Sequence, residues 1–250
     1  MEKILVVSNS EERGNLQVTL ESLGFQLTRA GEKPAAIVAS ASDTDGARLS
    51  NVIRMSDDIV TGSGPYVAGL MNEVVSRVGL RMATLADLET IIEYNILNLR
   101  GTYEYPALIL RSVDNPYAQI GKSLAQEIKN IRNELKLTMM IPIASTTLVN
   151  EDSMDGLSFR IKNHKEIIEA PQLSYDNDGK TFSKTDEYGL PIFDEDGSRS
   201  FYGLESGLSV LCIDRELDFD SEGGSFRGVG SAGRLIAVRE DNEEAINQSF

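Results

Sequence analysis

Leu208-Ser209-Val210-Leu211-Cys212-Ile213-Asp214-Arg215-Glu216-Leu217-Asp218-Phe219-Asp220 is the stretch whose reading decides the fold class of the second half. It alternates. Leu211, Ile213, Leu217 and Phe219 share one parity, and Cys212, Asp214, Glu216, Asp218 and Asp220 share the other. Period-two alternation predicts a half-buried strand with a polar, mostly acidic outer face. Gly223-Gly224 then turns the chain, and Arg234–Val238 reads as a final strand. Upstream, Tyr175–Arg199 is a long Asp- and Gly-rich segment, preceded by short apolar runs at Leu157–Ile161 and Glu166–Ile168.

Further back the periodicity becomes helical. Thr84-Leu85-Ala86-Asp87 predicts a capping-box start, with Leu88, Ile91 and Ile92 carrying that helix towards Leu99. Ala107–Leu110 reads as a strand, Tyr117 to Leu135 as an amphipathic helix, and Thr138–Ile143 as a strand kept at an edge by Pro142. Runs of strand and helix without strict alternation predict an α+β module over 81–238, with an acidic tail at 239–250.

The first eighty residues read differently. Lys3–Val7 is a short β-branched run suited to a strand covered on both faces. Ser8-Asn9-Ser10 can cap a helix whose Leu16, Leu20 and Leu23 form one stripe ending at Gly24. Phe25–Thr28, Ala35–Ala39 and Asp57–Val60 follow as strands, so a three-layer α/β region is expected over 1–80.

The composition excludes several functions. With 24 Lys and Arg against 39 Asp and Glu, the net charge is −15, which repels phosphate backbones and anionic lipid. General nucleic-acid and membrane partners are therefore not expected. Lys122, Lys129, Arg132 and Lys136 are interleaved with Glu127 and Glu134 and read as a solvated helix face. No run approaches the ~18 apolar residues of a membrane span, and the N-terminal apolar run is too short for a signal peptide. With one cysteine, Cys212, no intramolecular disulfide can form, which favours the cytoplasm or a virion.

Catalytic chemistry has few carriers. The single histidine, His164, stands among Asn163 and Lys165 and reads as a solvated loop residue. One His and one Cys cannot build a structural zinc site. Thr61-Gly62-Ser63-Gly64 before Pro65 could cradle an anion on backbone N–H groups, but lacks the Lys of a phosphate-binding loop. Asp176 and Asp178, in Ser174-Tyr175-Asp176-Asn177-Asp178-Gly179, resemble half of a calcium loop, and calcium is the one cofactor with any support. Asp-Gly turns explain the same residues. Asp214, Glu216, Asp218 and Asp220 repeat about 7 Å apart on a strand, a spacing that glycosidase carboxylates use. The chain has no Trp to build the sugar platform.

Two resemblances bear on this. The Lys-Ile-Leu-Val-Val strand at residues 3–7 and the helix ending in Leu23-Gly24-Phe25 resemble a response-regulator receiver domain, implying a receiver- or flavodoxin-like start. Ser8-Asn9 and Ala41-Ser42 stand where a receiver has its acidic pair and phosphoacceptor, so phosphorelay does not carry over. From Ala83 to Val238, Leu99–Tyr103, Ala107–Ser112, Met140-Ile141-Pro142, Glu187–Pro191, Ser206–Ser209 and Gly233–Val238 resemble the variable proteins of diversity-generating retroelements. That resemblance implies a C-type-lectin-like module that binds a protein or surface ligand through exposed positions on a fixed core. Cys212, Asp214, Glu216, Asp218, Asp220 and Arg227 would then contact the ligand. The sequence-level expectation is a non-catalytic binding protein. The alternatives are an anion- or nucleotide-binding enzyme using Thr61–Pro65, and a viral or assembly subunit forming a homo-oligomer.

Overall fold

The structure, a computed structural model, describes residues 25–28, 35–39, 53–56, 59–62, 65–66, 68–69, 72, 80–95, 98–111, 118–131, 141–143, 146–150, 157–162, 167–221, 226, 233–234 and 236–239. Strands β1 (Phe25–Thr28), β2 (Ala35–Ala39), β3 (Ile53–Ser56) and β4 (Ile59–Gly62) pair in that order, each antiparallel to the next. The first two lie where the sequence places them. The expected strand Lys3–Val7 and the helix before Gly24 lie outside the described residues, as does the 240–250 tail.

The remainder has α+β character: few helices and a mixed sheet. Its centre is β6 (Tyr103–Leu110), paired antiparallel with β13 (Leu208–Ile213) on one side. On its other side β6 meets β7 (Ile141–Ile143) and, further along, β15 (Gly233–Arg234). Pro106 lacks an N–H, and it falls where the β6–β13 register slips, between the pairs Leu211↔Ala107 and Ile213↔Glu104. Pro142 is likewise accommodated on the short strand β7, as expected of an edge position.

Beyond β13 the sheet continues through β14 (Phe219–Asp220), β12 (Arg199–Tyr202), β10 (Thr181–Thr185) and β11 (Pro191–Phe193). Ile109, Leu211, Ile213, Phe219, Phe201 and Phe182 form one core with Leu88 and Ile91 of helix α1 (Leu85–Glu93). Leu108, Leu110, Leu208 and Val210 alternate with that set and are equally buried, so the central strands are covered on both faces. Helix α2 (Ala118–Ile131) packs on the hairpin of β8 (Thr146–Asn150) and β9 (Leu157–Ile161). Strands β5 (Leu80–Met82) and β16 (Ala237–Arg239) pair antiparallel, bringing the ends of this region together. No helix among the described residues is long and apolar enough to cross a membrane.

The α1 cap forms as its sequence predicts. Asp87 N donates to Thr84 Oγ1 at 3.4 Å, and Thr84 N donates to Asp87 Oδ2 at 2.8 Å. The helix stops earlier than expected because Asn95 turns left-handed at φ 50°. Three larger differences from the sequence reading stand out. The alternating run is a hairpin rather than one strand, Tyr175–Arg199 holds the two strands β10 and β11 and ends at the first residue of β12, and Arg234–Val238 divides between β15 and β16 in different sheets.

Candidate functional site

The hairpin corrects the expected acidic face. Asp214 Oδ1 accepts from Glu216 N at 2.8 Å and from Asp218 N at 2.9 Å, and Leu217 adopts φ 76°. A short carboxylate that satisfies backbone donors two and four residues on competes with strand continuation and bends the chain. Asp218 Oδ1 in turn accepts from Ser200 N at 2.6 Å, tying the turn to β12. Glu216 is exposed at the tip, where its carbonyl accepts from Arg100. Asp220 is half-buried beside Tyr202 in the β12–β14 register. Cys212, expected on the outward set, is buried. The five residues therefore do not share one outward face, and Arg227 lies outside the described residues. Because Asp214 satisfies two backbone donors, Asp214→Ala is expected to cost roughly 1–2 kcal/mol, read as a lower urea midpoint at unchanged slope.

The other expected sites fare as follows. Thr61 and Gly62 lie in β4, in the hairpin with β3, while Ser63, Gly64 and His164 lie outside the described residues. Asp178 Oδ1 accepts from Gly203 N at 2.9 Å, and Asp176 follows the Ser174 cap of a 3-10 turn, Tyr175–Asn177. These two acids are built into a turn completed by Gly179 at φ 74°. Among the described residues no three His, Cys, Asp or Glu side chains cluster in a way that could hold a metal.

Two buried cations hold the sheet. Arg199 lies against the Phe182 and Phe219 rings, 4.6 and 5.1 Å from their centroids, and donates to both oxygens of Glu89 at 2.6 and 2.8 Å. Its Nε donates to the carbonyl of Leu217, so it joins α1, β10 and the 214–218 turn. Arg111, 3% exposed, donates to the hydroxyls of Ser209 and Ser221. Burial pulls its pKa down to about 10.

Tyr105 and Cys212 lie near the Asp220 end of this sheet. Burial pushes the Tyr105 phenol up from 10.0 to about 12, with Cys212 and nearby acids adding to it. Burial also pushes the Cys212 thiol well above its ordinary value, aided by Asp220 and Asp214. Both groups keep their protons longer folded than unfolded. As pH rises from 10 towards 12 the unfolded chain loses the Tyr105 proton first, so stability present below pH 10 declines over that window. Urea midpoints across the alkaline limb should fall, less so in Tyr105→Phe. A thiol reagent at neutral pH should label Cys212 only after unfolding.

Two features stand out on the surface of the described residues. On β12, β10 and β11 the side chains alternate across the sheet: Phe201, Phe182 and Phe193 point inward and Tyr202, Thr181 and Ile192 outward. Ile192 is 52% exposed and Tyr202 37%. The register places Lys184 opposite Ile192 and Ser200 opposite Thr181 on that outer face. The second is a groove of about 570 Å³ between α2 and the β8–β9 hairpin. Sequence reasoning missed both. Strands of three to five residues between Asp turns carry too little alternation to detect, and a groove-lining helical stripe has the same period as a solvated one. Searches of protein-family models, curated proteins and solved structures find no match to this chain.

Proposed function

We propose that the chain is a non-catalytic binding protein that engages a protein or surface ligand through the outer face of β11, β10 and β12. One observation carries the reading: Ile192 and Tyr202 stand exposed on a sheet whose opposite face is a closed aromatic core. Large apolar side chains held outward on a rigid sheet, next to the edge strand β11, supply contact area with little ordering cost. Lys184, Ser200 and Asp220 add polar and charged neighbours to that face. The resemblance of Ala83–Val238 to variable proteins of diversity-generating retroelements supports the same reading. A C-type-lectin-like module serves recognition by holding its core fixed while exposed positions change. The Phe182, Phe201 and Phe219 core beneath this face suits such a role.

The test is affinity capture with the full chain and an Ile192→Asp, Tyr202→Ala double variant. The variant should keep its circular dichroism and stability, because both side chains are exposed, and should lose the partner. Glu216→Ala at the hairpin tip should capture as the parent does. Equal capture by the double variant would remove this face from consideration.

A further inference from the structure

Helix α2 presents Gln119, Lys122, Ser123, Gln126 and Asn130 to one side of the groove. Their spacing of three, four, seven and eleven places them on one helical stripe. Val149 of β8 and Arg160 of β9 line the groove from the hairpin, together with Phe159, which is 2% exposed. Phe159 is fixed from behind by the rings of Tyr66 and Phe226, with centroids 5.2 and 5.7 Å away. The helix is held to this wall where Ile161 N donates to Glu127 Oε1 at 3.2 Å. The groove therefore lies between two elements that are already fixed to each other, and its volume is that of ordinary small-molecule sites.

Its charge runs against that of the chain. The protein carries −15, yet Lys122 and Arg160 both line the groove and neither enters an ion pair among the described residues. Glu127, a carboxylate lining the same groove, accepts the β9 backbone N–H. An ammonium from the helix and a guanidinium from the hairpin together match a dianionic phosphate, which the guanidinium can grip with two N–H groups. Gln126 Nε2 donates to Asn130 Oδ1 at 3.0 Å, which leaves the Gln126 carbonyl and the Asn130 amide N–H groups to face a ligand. Such alternating acceptors and donors suit hydroxyl groups. Among the described residues the one ring lining the groove is Phe159, which is packed against Tyr66 and Phe226 and so offers no open face to stack a base.

We propose that this groove is a binding site for a small polyhydroxylated phosphomonoester of the sugar-phosphate class. Lys122 and Arg160 hold the phosphate, and Gln119, Gln126 and Asn130 read the hydroxyls. The site is separate from the outer face of β11, β10 and β12, and its failure would leave that reading unaffected.

Calorimetry on the full chain with glucose 6-phosphate as probe, and glucose and inorganic phosphate as comparators, tests it. Glucose 6-phosphate should bind and glucose should not. Lys122→Ala and Arg160→Ala should each weaken binding by about tenfold or more, the loss expected for one charge-assisted contact. Lys129→Ala, exposed on the same helix but outside the groove, should bind as the parent does. Because all three side chains are exposed, circular dichroism of the variants should match the parent, and Lys122→Arg should retain binding. Absence of binding, or equal binding by Lys122→Ala and Arg160→Ala, would overturn the site. Inorganic phosphate binding as tightly as glucose 6-phosphate would overturn the ligand class.

Discussion

Glu89→Ala is expected to destabilise the fold by roughly 3–5 kcal/mol, the cost of stranding one partner of a buried ion pair. The side chains of Arg199 and Glu89 are 8% and 12% exposed, so water cannot replace the missing carboxylate. Arg199 would remain packed on Phe182 and Phe219 with, among the described residues, only the Leu217 carbonyl to receive its N–H groups. Thermal unfolding should show a loss on the order of 10 °C. The informative control is Glu89→Leu combined with Arg199→Met. Removing both charges should cost much less than removing one, because the desolvation penalty vanishes with the pair. A single variant within about 1 kcal/mol of the parent would mean that rings and carbonyl alone satisfy Arg199.

Gly189→Ala should be comparably damaging for a different reason. Gly189 closes the β10–β11 turn at φ 77°, and its N–H donates to the carbonyl of Asp186 at 3.0 Å. The Asp186 carboxylate also accepts from Tyr188 N and Leu190 N, so the loop conformation is fixed from within. A Cβ at 189 would lie 2.5 Å from Ala86 N and from the Leu85 carbonyl carbon. Those are backbone atoms in the first turn of α1 and cannot rotate away. Left-handed strain of roughly 1–2 kcal/mol would combine with an overpacking cost of about 1–3 kcal/mol. The result should be a lowered unfolding midpoint and faster hydrogen exchange in the 186–190 loop. A change below about 0.5 kcal/mol would show that the loop can lift off α1 without consequence.

Much of the secondary structure was legible where one local signal acted alone. The Thr84–Asp87 cap depends on side chains three residues apart, and Pro142 at a sheet edge on a missing N–H, so both could be read directly. The hairpin at Asp214–Asp218 could not. Period-two alternation runs straight through it, and the turn arises because the Asp214 carboxylate captures backbone donors that a strand would offer to a neighbour. The same applies to Tyr175–Arg199, where Asp186 and Asp194 organise turns between strands too short to announce themselves.

By itself the sequence determined which groups were on hand: one His, one Cys, an excess of 15 negative charges, and enough apolar residues for a core. Composition is a property of the chain and needs no folding. The tertiary structure decided which of those groups face a partner. It buried Cys212, committed Asp214, Asp178 and Glu89 to holding backbone and cation, and turned Ile192, Tyr202, Lys122 and Arg160 outward. Exposure depends on strand pairings and helix packing across many tens of residues, and those long-range contacts leave no mark in any short window of sequence.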